Sequence, residues 1–142
     1  MFGELARAEP VGDRQPRPDW LAEAREALVA AGDYLAYEDD ERVRVVALQE
    51  GWTRIGRSLS ARIRFDDPTV SRRHALVHRE DSGARILDDR SLNGVFVNGA
   101  HVDMRELEDG DQIAIGRFHL HYICLREVAA APFPDRSVAG AV

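Results

Sequence analysis

The stretch RFHLHYICL, residues 117–125, decides the fold class. In it Phe118, Leu120, Tyr122 and Cys124 alternate with His119 and His121, the period-two pattern of an antiparallel strand with one face against a core. Runs of the same kind recur upstream: RVRVVAL (42–48), WTRIGR (52–57), RIRF (62–65), HALVHRE (74–80), ARILDD (84–89), GVFVNG (94–99) and DQIAIG (111–116). Each is short, rich in β-branched or aromatic residues, and set off by Gly, Asp, Asn or Pro. About eight short strands at roughly ten-residue spacing predict an all-β sandwich or barrel. Asn93-Gly94, Asn98-Gly99 and Asp109-Gly110 tolerate positive φ and predict three tight hairpin turns.

Further upstream the period changes. Leu21, Ala24, Leu28, Ala31 and Leu35 recur at helical spacing, with Asp19 placed to cap the first turn and Gly32 near the end. This predicts a short amphipathic helix over about residues 19–31. Alone it is too short to persist in water, so its apolar stripe must dock on the domain or on a partner. The expected layout is a flexible tail over 1–18, the helix and an acidic linker over 19–41, a β-sandwich over 42–126, and a flexible tail over 127–142.

With 44% hydrophobic and 31% charged residues the chain has the balance of a soluble globular protein. No apolar run reaches membrane-spanning length and the first residues lack a signal-peptide core, so no membrane contact is expected and the cytoplasm is the expected location. A single cysteine, Cys124, excludes an intrachain disulfide. All 19 basic residues are arginine. Residues 1–42 hold five arginines against eleven acids, whereas residues 43–126 hold thirteen against twelve. The β-rich part therefore has no broad cationic field for nucleic acid, and any anion must be held locally.

Local anion binding is what one constellation offers. Gly56-Arg57 ends one strand, Ser71-Arg72-Arg73-His74 opens another, and Ser91-Leu92-Asn93-Gly94 lies in a turn. Guanidinium, hydroxyl and amide donors suit a phosphate dianion and the peptide backbone that carries it. None of them is a general base or an activated nucleophile, so the set describes binding without turnover. His78, His119 and His121 lie at no recognised metal-ligand spacing. Asp88 and Asp89 read as solvent-facing or turn ligands. No metal, cofactor or enzymatic activity is expected.

The order GR, SRRH, SLNGVFVNG, LEDGDQIAIG across residues 43–126 resembles the forkhead-associated (FHA) phosphopeptide-binding domain. The resemblance implies a β-sandwich of about eleven short, mainly antiparallel strands, whose loops at one end capture phosphothreonine. By motif position, Arg57 and the Ser71 hydroxyl would hold the phosphate, Arg72 would support the phosphate or the peptide backbone, and Asn93 would bond the ligand's main chain. Ser58 is a further candidate contact. His74 would brace the loop and Gly56 would permit a close approach, with Gly94, Asn98 and Gly99 as structural positions. Where such domains often carry Thr or Ser before the asparagine, this chain has Leu92. Arg73 is expected to face away and to pair with Asp66 or Asp67. The implied partner is a threonine-phosphorylated protein, a kinase or its substrate. A phosphate-independent interaction or oligomerisation module is the alternative. Thr53 and Thr69 are the only threonines, so neither tail can supply the phosphothreonine and the ligand is expected in trans.

Overall fold

The computed structural model describes residues 16–126. A helix, α1 (Asp19–Ala27), precedes eleven strands: β1 (Gly32–Asp39), β2 (Arg42–Ala47), β3 (Gly51–Gly56), β4 (Ile63–Arg64), β5 (Ala75–Glu80), β6 (Gly83–Asp88), β7 (Val95–Val97), β8 (Ala100–Val102), β9 (Met104–Glu106), β10 (Gln112–Ile115) and β11 (Phe118–Leu125). They form two sheets, ordered β2-β1-β11-β10-β7-β8 and β4-β3-β5-β6-β9. Every pairing is antiparallel except β3 with β4.

Alternation builds the core between the sheets. Leu35 and Tyr37 of β1 and Phe118, Leu120 and Tyr122 of β11 meet Ile55, Val77 and Ile86 of the facing sheet, with Ile113, Ile115, Val95 and Val97 alongside. Phe65 stacks on Phe118 at 4.1 Å between ring centroids and meets Tyr37 edge-on at 5.1 Å. The opposite face of the six-stranded sheet is covered as well. Leu21 of α1 packs on Tyr34, Ala36 and Ile123, bordered by Trp20 and Leu28. His121, expected on a solvent face, is consequently buried beneath the helix, where Trp20 meets its ring edge-on. Arg25 clamps the helix by two 2.9 Å bonds to the Asp109 carboxylate, which also accepts the Cys124 amide. At the end of the sandwich far from the β6–β7 loop, Asp33 accepts the Tyr122 hydroxyl and pairs with Arg79 of the other sheet.

Three expectations are corrected. Residues 32–39, assigned to the linker, form β1, which lies between β2 and β11 near the centre of its sheet. Both its faces are buried, so YLAY shows no polar alternation, and Leu35 completes a seven-residue spacing with Leu21 and Leu28 by coincidence. The helix accordingly ends at Ala27 and starts behind Pro18, with Asp19 as its first residue rather than its cap. Of the dipeptides assigned to hairpins, Asn98-Gly99 (φ 53° and 86°) makes the two-residue β7–β8 turn. Asp109-Gly110 turns the chain into β10 through an Asp111 amide to Glu108 carbonyl bond of 2.9 Å, and Asn93-Gly94 belongs to the longer β6–β7 loop. The β1–β2 hairpin instead turns on Asp40-Glu41, with φ 58° and 64°. No helix among the described residues is long and apolar enough to cross a membrane. Of the tails expected over 1–18 and 127–142, residues 1–15 and 127–142 lie outside the described residues.

Candidate functional site

Three loops meet at one end of the sandwich. Beyond β3 the chain runs against the 71–72 backbone, Arg57 N–H donating to Ser71 O at 2.9 Å and Ser58 N–H to Arg72 O at 3.1 Å. A Cβ at Gly56 would stand 2.2 Å from the Arg72 carbonyl oxygen, so only glycine permits this approach. Arg57 Nε donates to Val70 O at 3.0 Å, which fixes the guanidinium plane and leaves both terminal amino groups for a guest.

The second loop is braced by His74, which is fully buried. Its Nδ1 accepts the Ser71 N–H at 3.0 Å, so Nε2 carries the proton and donates it to Gly94 O at 2.9 Å. One imidazole thus ties the Ser71 loop to the Asn93 loop. Ser71 Oγ accepts the Leu92 N–H at 2.9 Å, and its own proton is left for another acceptor.

The third loop, 89–94, closes on itself: Asp88 accepts the Ser91 amide at 2.8 Å and Ser91 Oγ accepts the Gly94 amide at 2.9 Å. The Asn93 side chain donates to Thr69 O at 2.9 Å and keeps its carbonyl and second N–H exposed. Thr69 is itself fixed, donating to Asp67 from amide and hydroxyl at 2.9 and 2.6 Å and accepting the Arg117 amide at 3.1 Å. With these Thr69 bonds first and the Arg117 guanidinium at 2.7 Å next, Asp67 is held down to about 2 and stays ionised.

Arg57, Ser71 and Asn93 are therefore brought together, each one hydrogen bond from a neighbouring segment. Arg72 is exposed beside them, its guanidinium without a hydrogen bond or ion pair among the described residues. Ser58 Oγ lies 3.0 Å from the Ser60 hydroxyl and accepts the Ser60 amide at 3.2 Å. Asn98 stands apart from the cluster and is structural, bonding Asp111 at 2.9 Å and the Gln112 amide at 3.0 Å. Arg73 does face away, but pairs with Asp89 at 3.1 and 3.3 Å rather than with Asp66 or Asp67, because Asp67 is taken by Thr69 and Arg117. The Leu92 side chain is 89% exposed while its amide holds Ser71. On the flank, potential ligand atoms of Asp88, His101 and Asp103 lie within 4.8 Å of one another; His101 and Asp103 are exposed and Asp88 already holds the Ser91 amide. Sequence reading missed the Asp67–Thr69–Arg117 support. The Asp-x-Thr turn was its only local signal, since Arg117 is 48 residues from Thr69.

The FHA domain family model matches residues 53–116. The glycogen accumulation regulator GarA of Mycobacterium tuberculosis is 41% identical over 76 residues, which are 54% of this chain and 47% of that protein. The chain thus spans about half the length of the curated relatives it matches. Among solved structures, one from a study of phosphothreonine-dependent FHA domain interactions superposes with a TM-score of 0.61 at 34% identity, over 66% of this chain and 98% of that one. The FhaA FHA domain, solved in complex with the intracellular domain of Rv3910, superposes with a TM-score of 0.61 at 36% identity, over 64% of this chain and 99% of that one. Motif order, an eleven-stranded two-sheet architecture and nearly complete coverage of two solved FHA domains agree: this chain belongs to the FHA domain family.

Proposed function

We propose that this protein is a phosphothreonine-dependent interaction module that docks a threonine-phosphorylated kinase or kinase substrate, in the cytoplasm and without catalysing a reaction. The observation that carries this reading is the donor set at the loop end. The Arg57 guanidinium is anchored by Nε alone, the Ser71 hydroxyl is occupied only as an acceptor, and the Asn93 amide stands exposed between them. A phosphate dianion satisfies the first two with charge-assisted bonds, and a peptide main chain satisfies the third. Arg72 adds a second guanidinium at the entrance. The relatives with phosphothreonine-dependent interactions support the same reading.

A ligand in trans is favoured over either threonine of this sequence. Thr53 is buried in β3 and Thr69 is bound into the loop support, so neither of the chain's threonines is available to its own site.

Calorimetry with a phosphothreonine peptide, its unphosphorylated twin and its phosphoserine twin tests the proposal. We expect binding of the first and at least a tenfold loss for Arg57→Ala, about 1.4 kcal/mol. Equal affinity for phosphorylated and plain peptides would instead assign a phosphate-independent module.

A further inference from the structure

The rim that carries the cradle extends beyond it. Val95 lies opposite Ile115, Ile115 opposite Phe118, and Tyr37 opposite Leu120, so the start of β7, the β10–β11 turn and the β1–β2 turn share one end of the six-stranded sheet. Asn93 stands over the first of these and Asp40-Glu41 forms the last. Thr69 links the Asn93 loop to the β10–β11 turn, since it receives the Asn93 amide on its carbonyl and the Arg117 amide on its hydroxyl.

Between the β1–β2 turn and the start of α1 lies a groove of about 500 Å³, lined by Glu38, Asp40, Glu41, Trp20, Phe118 and Arg117 among others. Arg117 is its only arginine or lysine among the described residues, and that guanidinium is committed to Asp67 at 2.7 Å and lies 4.6 Å over the Phe118 ring. The carboxylates of Glu38, Asp40 and Glu41 make no hydrogen bond or close ion pair with any described residue, though Arg117, raised first by Asp67, also feels the charge of Asp40. The indole N–H of Trp20 is buried without a partner among the described residues. The lip also carries strain. Asp40 and Glu41 both hold positive φ, which aspartate tolerates and glutamate adopts only at a cost, so Glu41 is kept at this lip against backbone preference.

We infer that this groove takes a lysine or arginine side chain of the same phosphopeptide, so that the preferred ligand is dipolar, with phosphothreonine in the cradle and a cationic residue about four positions away. The inference rests on the phosphothreonine reading. Its spacing follows from the sheet: β7 and β1 are three strands apart, about 14 Å at ~4.8 Å per step, and an extended peptide covers that in about four residues. Carboxylates are the partners a desolvated cation requires, and the excess of acids over the one arginine in the lining disfavours an acidic flank.

The test uses the full chain and phosphothreonine peptides that carry a single lysine three, four or five residues to either side, on an alanine-rich background. We expect one position to bind about 5- to 20-fold more tightly than the lysine-free peptide, with the gain shrinking as salt is raised. In Asp40→Asn/Glu41→Asn, whose asparagines suit the turn, the gain should disappear while the lysine-free peptide binds as before. If that variant melts early, salt dependence in wild type combined with Glu38→Gln replaces it. Equal binding of all the peptides would overturn the groove and leave the cradle standing. Failure of every phosphopeptide, with or without lysine, would overturn both.

Discussion

At Gly56 one methyl group decides whether two loops can lie side by side. Alanine there would drive its Cβ into the Arg72 carbonyl and push the 71–72 segment off the Arg57 loop. We expect Gly56→Ala to cost about 2 kcal/mol or more in a urea melt and to weaken phosphopeptide binding with it. His74→Ala would strand the Ser71 N–H and the Gly94 carbonyl in a place that water does not reach. A loss of about 2–4 kcal/mol should follow, read by the same melt. Much of the cradle was legible in the sequence, because guanidinium, hydroxyl and amide announce their chemistry by residue type. What sequence could not show is which neighbour claims each group. Arg73 was matched to the wrong acid because Asp67 is claimed by residues two and fifty positions away. Nor does the sequence show that the Ser58 hydroxyl has Ser60 as its neighbour.

The element that most affects the rest is α1, which turns the outer face of the six-stranded sheet into a second core. Burial under it, aided by the charges of His119 and Arg17, pushes His121 down to about 4. Between pH 6.5 and 4 the unfolded chain takes up a proton that the folded chain refuses. The contribution is therefore whole above pH 6.5 and drains away as the solution is acidified through that window. We expect His121 to account for on the order of 2 kcal/mol of the stability lost between pH 7 and pH 4. Urea melts of wild type and His121→Gln at the two pH values measure it, the variant losing less. The Arg25 clamp is half exposed, so Arg25→Ala should cost only about 0.5–1 kcal/mol and increase amide exchange in α1 before the strands respond. At this scale the sequence misled where burial is two-sided. β2, β3 and β11 announced themselves by β-branched runs, whereas β1 presented a continuous apolar stretch whose spacing also suits a helix.

As a whole the molecule is asymmetric across its layers and along its length. One sheet is covered by α1, while the other presents Trp52 and Met104 to solvent. One end carries the loops, and the other is tied across the sheets by Asp33, Tyr122 and Arg79. The stretch matched by the family model, residues 53–116, omits β1, β2 and β11, half of the six-stranded sheet. We expect a fragment cut to that stretch to show neither dispersed amide resonances nor a cooperative melt, and residues 19–126 to show both. Whichever piece is made, the pairing of β1 with β11 sets its calendar. Cys124 faces Asp33 across 91 positions, so during synthesis β1 waits for β11 before that edge is covered. Until then β1, hairpinned to β2 on one side, offers YLAY with open backbone along the other. Holding that segment safe during synthesis is a task the finished fold no longer displays.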